Sequence, residues 1–80
     1  MNAQAVKKKT LAEVRAEYPI AGIVEGWFFR QREVSAGAYL VEGSDLWGRL
    51  LSRAGADPES LLSECVADAR HINQQVRGAL

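Results

Sequence analysis

The last third of the chain carries the strongest structural signal, a helix with a well-marked beginning and end. Asp57 can accept hydrogen bonds from free backbone amides, Pro58 suits the first helical position, and Glu59 favours the positive end of the helix dipole. Gly78 is placed to end the helix. An apolar stripe recurs along it at helical spacing, formed by Leu61, Leu62, Cys65, Ala69, Ile72 and Val76. This helix must bury its stripe, so the preceding residues have to supply an apolar surface for it.

Residues 20–53 change in character to β-branched and aromatic side chains punctuated by glycine, which is typical of strands. We predict three strands, over residues 23–33, 38–42 and 46–53, with turns at residues 35–37 and 43–45. Connections this short give an antiparallel meander. The third segment could instead be helical, because its periodicity is ambiguous over so short a run.

A short helix is predicted before the sheet. Thr10 and Glu13 have the spacing of a capping box, and Val14 and Tyr18 lie on one face of the helix that would follow. Pro19 should end this helix, because proline disfavours the helical conformation of the residue before it.

The length of the chain limits it to one small domain. Its 80 residues are 48% hydrophobic and have no formal net charge, which argues against intrinsic disorder. Residues 1–9 contain three consecutive lysines and no apolar periodicity, so we predict a flexible basic leader there. Residues 10–80 are predicted to form a single α+β domain, with a short N-terminal helix, a three-stranded antiparallel meander and a long C-terminal helix packed on the sheet.

Side chains able to perform chemistry are few. Cys65 and His71 are the single cysteine and histidine, so neither an internal disulfide nor a zinc site of cysteines and histidines can form. Glu64, Asp68 and His71 share a helical face that could hold a divalent metal, but that face lies opposite the apolar stripe, as is typical of a solvated surface. Cys65 lies within the stripe, where a free cysteine behaves as a small buried hydrophobe. We therefore predict that the protein is not an enzyme and has no cofactor and no metal site.

The sequence also lacks a membrane signal. No apolar run approaches the roughly 18 to 20 residues that span a bilayer, and no apolar stretch follows the lysines near the N-terminus. We expect no membrane partner. A single cysteine also fits a reducing compartment, so we expect the protein to be cytoplasmic.

Both faces of the predicted sheet carry large apolar groups, and one long helix can cover only one of them. The other face must meet the short first helix, a second copy of the protein or a partner. Aromatic and arginine side chains dominate the contact residues of protein interfaces. We predict a partner-binding surface formed by Trp27, Phe29, Arg30, Tyr39, Trp47 and Arg49. The expected function is that of a small non-catalytic protein-binding module, such as an inhibitor, an antitoxin-like or immunity-like protein or an assembly protein, with either a protein partner or self-association.

The alternative function is the binding of single-stranded nucleic acid on the same surface. Trp27 and Phe29 would stack on bases, while Arg30, Arg32 and the three lysines of residues 7–9 would meet phosphates. The zero net charge and the acidic residues along the same strands make this the weaker expectation.

Residues 39–72 follow the order strand, turn, strand, glycine and capped helix. The residues that define this order are Asp45, Gly48, Gly55, Asp57, Glu59, Leu61, Leu62 and Ala69. The arrangement resembles the strand-to-helix half of small HicB-type antitoxin domains, although the strand that should follow the helix is missing. The resemblance covers under half of the chain. It implies a small non-catalytic protein that acts by binding another protein.

Overall fold

A computed structural model describes residues 10–78 of the chain. The elements are α1 (Leu11–Glu17), β1 (Trp27–Ser35), β2 (Ala38–Asp45), β3 (Leu50–Gly55) and α2 (Pro58–Gly78). The strands form one antiparallel sheet in the order β1-β2-β3, and α2 packs on it, mainly on β2 and β3. The predicted α+β architecture is confirmed, including a strand rather than a helix as the third element of the sheet. The predicted basic leader lies outside the described residues.

Helix α1 begins with the predicted capping box. The Glu13 backbone N–H donates to the Thr10 hydroxyl at 3.2 Å, and the Thr10 backbone N–H donates to the Glu13 carboxylate at 2.8 Å. Two of the amides that a helix start leaves without partners are thereby satisfied. The helix ends at Glu17, two residues before Pro19, as the sequence predicts.

Helix α1 packs on the sheet face opposite α2. Val14 and Tyr18 are buried against Phe28 of β1, and the half-buried Leu46 adds to this small cluster. The main core lies on the other side of the sheet, between the strands and α2. Its buried residues are Val24, Trp27, Phe29, Val41, Leu61, Cys65, Val66 and Ala69. The two faces therefore have different covers, a larger one from α2 and a smaller one from α1.

Strand β1 begins four residues later than predicted. Gly22 and Gly26 have φ values of +86° and +80°, a backbone conformation that favours glycine, and they shape a loop where a strand was expected. The chain reverses direction between Ile20 and β1, so Ile20 lies antiparallel to Phe29. These two residues exchange both backbone hydrogen bonds, at 2.9 and 2.8 Å. The Trp27 N–H donates to the Val24 carbonyl at 3.1 Å. The loop thus runs beside the first half of β1.

The turn between β2 and β3 lies at residues 46–49, so the turn predicted at residues 43–45 is wrong. Gly43 is a strand residue in close contact with the core: a Cβ atom added to it would lie 2.8 Å from two ring carbons of Phe29. The glycine is needed there for close packing and not for a turn. The positive φ that the turn requires is supplied by Gly48, at +88°.

Helix α2 begins as predicted and extends to Gly78, the last residue that the structure describes. The Asp57 carboxylate accepts hydrogen bonds from the Glu59 backbone N–H at 3.1 Å and from the Ser60 hydroxyl at 2.9 Å. Of the predicted apolar stripe, three members are fully or nearly fully buried, Leu61, Cys65 and Ala69. The stripe fades towards the C-terminal end, where Val76 is exposed.

The strand register divides the sheet residues between the two faces. Val41 lies between Gln31 and Arg53 on the face covered by α2, and Glu42 lies between Arg30 and Ser52 on the other face. We call the second side, where helix α1 does not cover it, the open face. It consists of Arg30, Arg32, Leu40, Glu42, Leu50, Ser52 and Ala54.

Candidate protein-interaction site

The turn of residues 46–49, which we call the Trp47 turn, is organised by a buried carboxylate. Asp45 is 3% exposed and accepts hydrogen bonds from the backbone N–H of Trp47 at 2.9 Å and that of Arg49 at 2.8 Å. It also binds the Arg49 guanidinium through Nε. The Asp45 N–H in turn donates to the Arg49 carbonyl at 3.2 Å. Four interactions with one residue fix the conformation of the turn.

This fixed turn presents a tryptophan to solvent. The Trp47 side chain is 60% exposed. Beside it lies a shallow surface pocket of about 170 Å³, lined by Gly26, Trp27, Asp45, Leu46, Trp47, Arg49 and Asn73. Because Asp45 pairs with Arg49, the charge next to the ring is neutralised locally. The turn therefore offers a large aromatic surface with a polar rim, an arrangement found at the centres of protein interfaces.

Trp27 lies under this pocket and is a core residue. Its side chain is 1% exposed, and its indole N–H donates to the Asn73 side-chain oxygen at 3.0 Å. The Asn73 amide donates in turn to the Glu25 carbonyl at 3.0 Å. These bonds tie the loop before β1 to helix α2. The indole N–H has a partner inside the protomer, as buried tryptophans usually require.

The six residues predicted to bind a partner do not form one surface. Trp27 and Phe29 face α2 and are 1% and 0% exposed, so the expectation that they lie on an uncovered face is wrong. Tyr39, also on the α2 side, is half-buried against the main core. Of the six, only Trp47 and Arg49 come together at the surface. The physical reason is that α2 covers the sheet face that carries both core rings.

Arg30 lies on the open face within a charged group. Its guanidinium donates to Glu42 at 2.8 Å and lies over the Tyr18 ring, 4.5 Å from the ring centre. Arg32 is 3.6 Å from the same carboxylate. The hydrogen bond to Glu42 raises the pKa of Arg30 above its usual value, so this arginine stays charged. The group holds the end of helix α1 against the sheet through Tyr18.

Two residues outside the six predicted site residues also belong to this region. The sequence indicates only that Asp45 belongs to a turn, and it does not predict that this side chain is buried. A signal was available in the sequence, since aspartate followed by glycine three positions later is typical of a side-chain-capped turn. Leu50 follows the turn and is 65% exposed on the open face, where no sequence pattern singled it out.

The two carboxylates on the helical face that carries His71 bind an arginine of the sheet. Asp68 accepts two hydrogen bonds from the Arg53 guanidinium, at 2.9 and 3.0 Å, and Glu64 accepts one at 3.5 Å. They join α2 to β3. Within residues 10–78, no group of three or more histidine, cysteine, aspartate or glutamate side chains is arranged to hold a metal ion.

Cys65 is fully buried, as predicted. Its thiol lies 3.6 Å from the Val41 carbonyl, to which it donates. Burial, with a smaller contribution from the nearby Asp68 charge, raises the pKa of this thiol to about 11. A thiol with this pKa is protonated at neutral pH and is a poor nucleophile.

The residues predicted to bind single-stranded nucleic acid do not form one exposed surface in the structure. The two rings assigned to stacking, Trp27 and Phe29, are inside the core, where a base has no access to them. The two arginines assigned to phosphates, Arg30 and Arg32, both lie next to Glu42, which offsets their charge. The three lysines lie outside the described residues.

Comparison with known proteins does not assign the chain to a family. No protein-family model, no curated protein and no solved structure matches the chain. Over the part of the chain that the structure describes, no helix is both long enough and apolar enough to span a membrane.

Proposed function

We propose that the protein is a non-catalytic protein-binding module that engages a partner protein through the Trp47 turn. The observation that carries the proposal is an exposed tryptophan on a backbone that a buried carboxylate holds in place. An exposed ring this large has a cost in water, and a protein partner would bury it.

The rigidity of the turn matters for affinity. Binding costs conformational entropy when a loop must be ordered, and a turn that is already fixed avoids most of that cost. Asp45 supplies this order through its two backbone hydrogen bonds. The inferred partner offers an apolar cleft for the Trp47 ring and an acceptor for Arg49, whose side chain is still 42% exposed. Inhibitors, antitoxin-like or immunity-like proteins and assembly proteins all fit this class.

The test begins by identifying the partner without assuming it. A photo-crosslinking phenylalanine analogue placed at position 47 and irradiated in the native host captures the protein that touches the turn, and mass spectrometry identifies it. The same analogue at Val34, which is 52% exposed at the far end of the β1–β2 hairpin, is the matched control. A capture at both positions is non-specific and contradicts the proposal.

The captured protein is then purified and titrated against the parent chain, Trp47→Ala and Val34→Ala. Loss of a dominant interface residue costs about 2 kcal/mol or more, which corresponds to about 30-fold weaker binding. We expect that loss for Trp47→Ala and less than about threefold for Val34→Ala, with both variants folded by circular dichroism. Equal affinity of Trp47→Ala and the parent would refute the proposal.

A second titration with single-stranded oligonucleotides at two salt concentrations tests the other class of partner. Counterion release makes nucleic-acid affinity fall steeply with salt, whereas an apolar protein interface is nearly indifferent to it. Salt-sensitive oligonucleotide binding in the absence of any captured protein would overturn the protein-binding proposal in favour of a nucleic-acid partner.

A further inference from the structure

The two edges of the sheet differ in how much of their backbone is already bonded. On β1, the N–H of Trp27 donates to Val24, and Phe29 exchanges both of its hydrogen bonds with Ile20. The chain itself therefore covers the first half of this edge. The second half carries a bulge between Glu33 and Ser35, a feature that discourages strand pairing.

The outer edge of β3 has no such cover within residues 10–78. The Asp45 N–H donates to Arg49, so alternate β2 residues, of which Val41 is one, direct their backbone groups to β3. Their β3 partners, among them Arg53, are bonded inwards. The backbone groups of Leu50, Ser52 and Ala54 consequently point out of the sheet, and no described backbone group bonds to them. All three residues are exposed.

We propose that this edge pairs antiparallel with the β3 edge of a second copy of the chain, about a two-fold axis at Ser52. The inference goes beyond the proposed function, because it uses the β3 backbone and leaves the Trp47 turn outside the paired segment. Symmetric antiparallel pairing joins the same surface of both copies, which is the commonest interface among homo-oligomers.

The side chains select this register. Pairing at Ser52 places Leu50 opposite the partner's Ala54 on the open face, so two apolar groups meet. Leu51 lies opposite the partner's Arg53 on the other face. An axis at Arg53 would set the two guanidinium groups of Arg53 directly against each other, and an axis at Leu51 would set Arg53 against the partner's Arg49. Both of these alternatives place like charges together, which is unfavourable.

The position of α2 favours a second copy as the occupant. This helix packs mainly on β2 and β3, near the free edge, and it binds Arg53 of that edge through Asp68 and Glu64. A two-fold axis perpendicular to the sheet places both α2 helices on the same side, next to each other. Contacts between the two helices would add to the backbone bonds, which a single added strand cannot provide.

The first test is sedimentation equilibrium of the full chain over a dilution series. We expect a species of twice the 8.8 kDa chain mass. Ser52→Pro removes an outward N–H and no bond within the protomer, and it should give a monomer. Leu50→Lys places a charge on the paired edge and should raise the dissociation constant about tenfold or more. Val34→Lys, the same kind of change at an exposed residue of the β1 bulge, should leave it unchanged.

Disulfide trapping tests the register without relying on a variant that disrupts the edge. In a Cys65→Ala background, Ser52→Cys brings two cysteines together across the axis, with Cα atoms about 5.5 Å apart in a hydrogen-bonded pair, a separation that a disulfide spans. The matched control is Ala54→Cys. Its two copies are offset by four residues, about 13 Å along the strand, and should not crosslink.

The outcomes separate clearly. A parental dimer with rapid crosslinking at Ser52→Cys and none at Ala54→Cys supports the proposal. A monomeric parent overturns the proposal. Equal crosslinking at both positions overturns the register. None of these results depends on Trp47. Failure of the β3 pairing therefore leaves the proposed function intact, and failure of the proposed function leaves the β3 pairing intact.

Discussion

Replacing Gly43 with alanine tests whether this strand position requires glycine because the Phe29 ring packs closely against it. The added Cβ would lie 2.8 Å from Cδ1 and Cε1 of Phe29 and 3.1 Å from Cδ1 of Leu51. Carbon atoms in good contact are about 3.5 to 4.0 Å apart, so the Phe29 ring would have to retreat by about 0.7 Å or more. Phe29 is fully buried under α2 and has little space in which to move.

The expected cost follows from two opposing terms. Overpacking of a well-packed core costs about 1–3 kcal/mol. Alanine also restricts the unfolded chain more than glycine does, which stabilises the folded state by about 0.4–1 kcal/mol. Gly43 has no positive φ, so backbone strain does not cancel this stabilisation. We expect Gly43→Ala to lower the free energy of unfolding by about 1–2 kcal/mol, and the melting temperature by about 4–16 °C for a domain of this size.

The assay is urea unfolding of four proteins: the parent, Gly43→Ala, Phe29→Leu and the double variant. Without the Phe29 ring, the alanine should cost less than about 0.5 kcal/mol, so the two substitutions will not be additive. Gly55→Ala is the control within the same sheet, because the nearest atom, a Leu61 methyl carbon at 3.2 Å, is the movable end of a side chain. An unchanged or higher melting temperature for Gly43→Ala, or an additive cycle, would refute the explanation.

Three further substitutions follow from the hydrogen bonds and the buried thiol. Asp45→Ala leaves the Trp47 and Arg49 amides without their acceptor and should cost about 2–3 kcal/mol in urea unfolding; a loss below about 0.5 kcal/mol would contradict the buried bonds. Thr10→Ala removes the cap of α1 and should cost about 1 kcal/mol; unchanged amide exchange in α1 would show that the cap is not formed. Burial raises the Cys65 pKa to about 11 from 9.0, so the unfolded thiol loses its proton first, and stability should fall from pH 9 to pH 11. Cys65→Ala should show a smaller fall over that range in pH-dependent urea unfolding, and equal falls would contradict the raised pKa.

The parts of the fold that the sequence predicted are those whose determinants are local. The beginning of α2 depends on Asp57 and Pro58, and that of α1 on Thr10 with Glu13, each within four residues of the helix it starts. Such signals can be read without knowledge of the fold. The short α1 and the beginning of α2 were therefore predicted closely.

The parts that were missed depend on contacts between distant residues. Gly43 looks like a turn glycine in the sequence, and only the Phe29 ring across the sheet explains its place in a strand. The candidate site was misplaced for a related reason: both faces of β1 carry aromatic rings, and only the docking of α2 decides which of them is buried. Trp47 was predicted on a strand, and its position on a turn instead depends on the buried Asp45.

The loop that returns along β1 also limits how far the sheet can be extended. A β-sheet polymerises when both of its edges accept new strands, which is how fibrous aggregates grow. Here the segment that includes Ile20 and Val24 occupies the backbone groups of Phe29 and Trp27, so addition at the β1 side is blocked over half its length. Pairing at β3 would consume the other edge. Two copies paired in this way would form one continuous sheet with a β1 strand at each end. The covered β1 edges would then keep association from continuing into a filament.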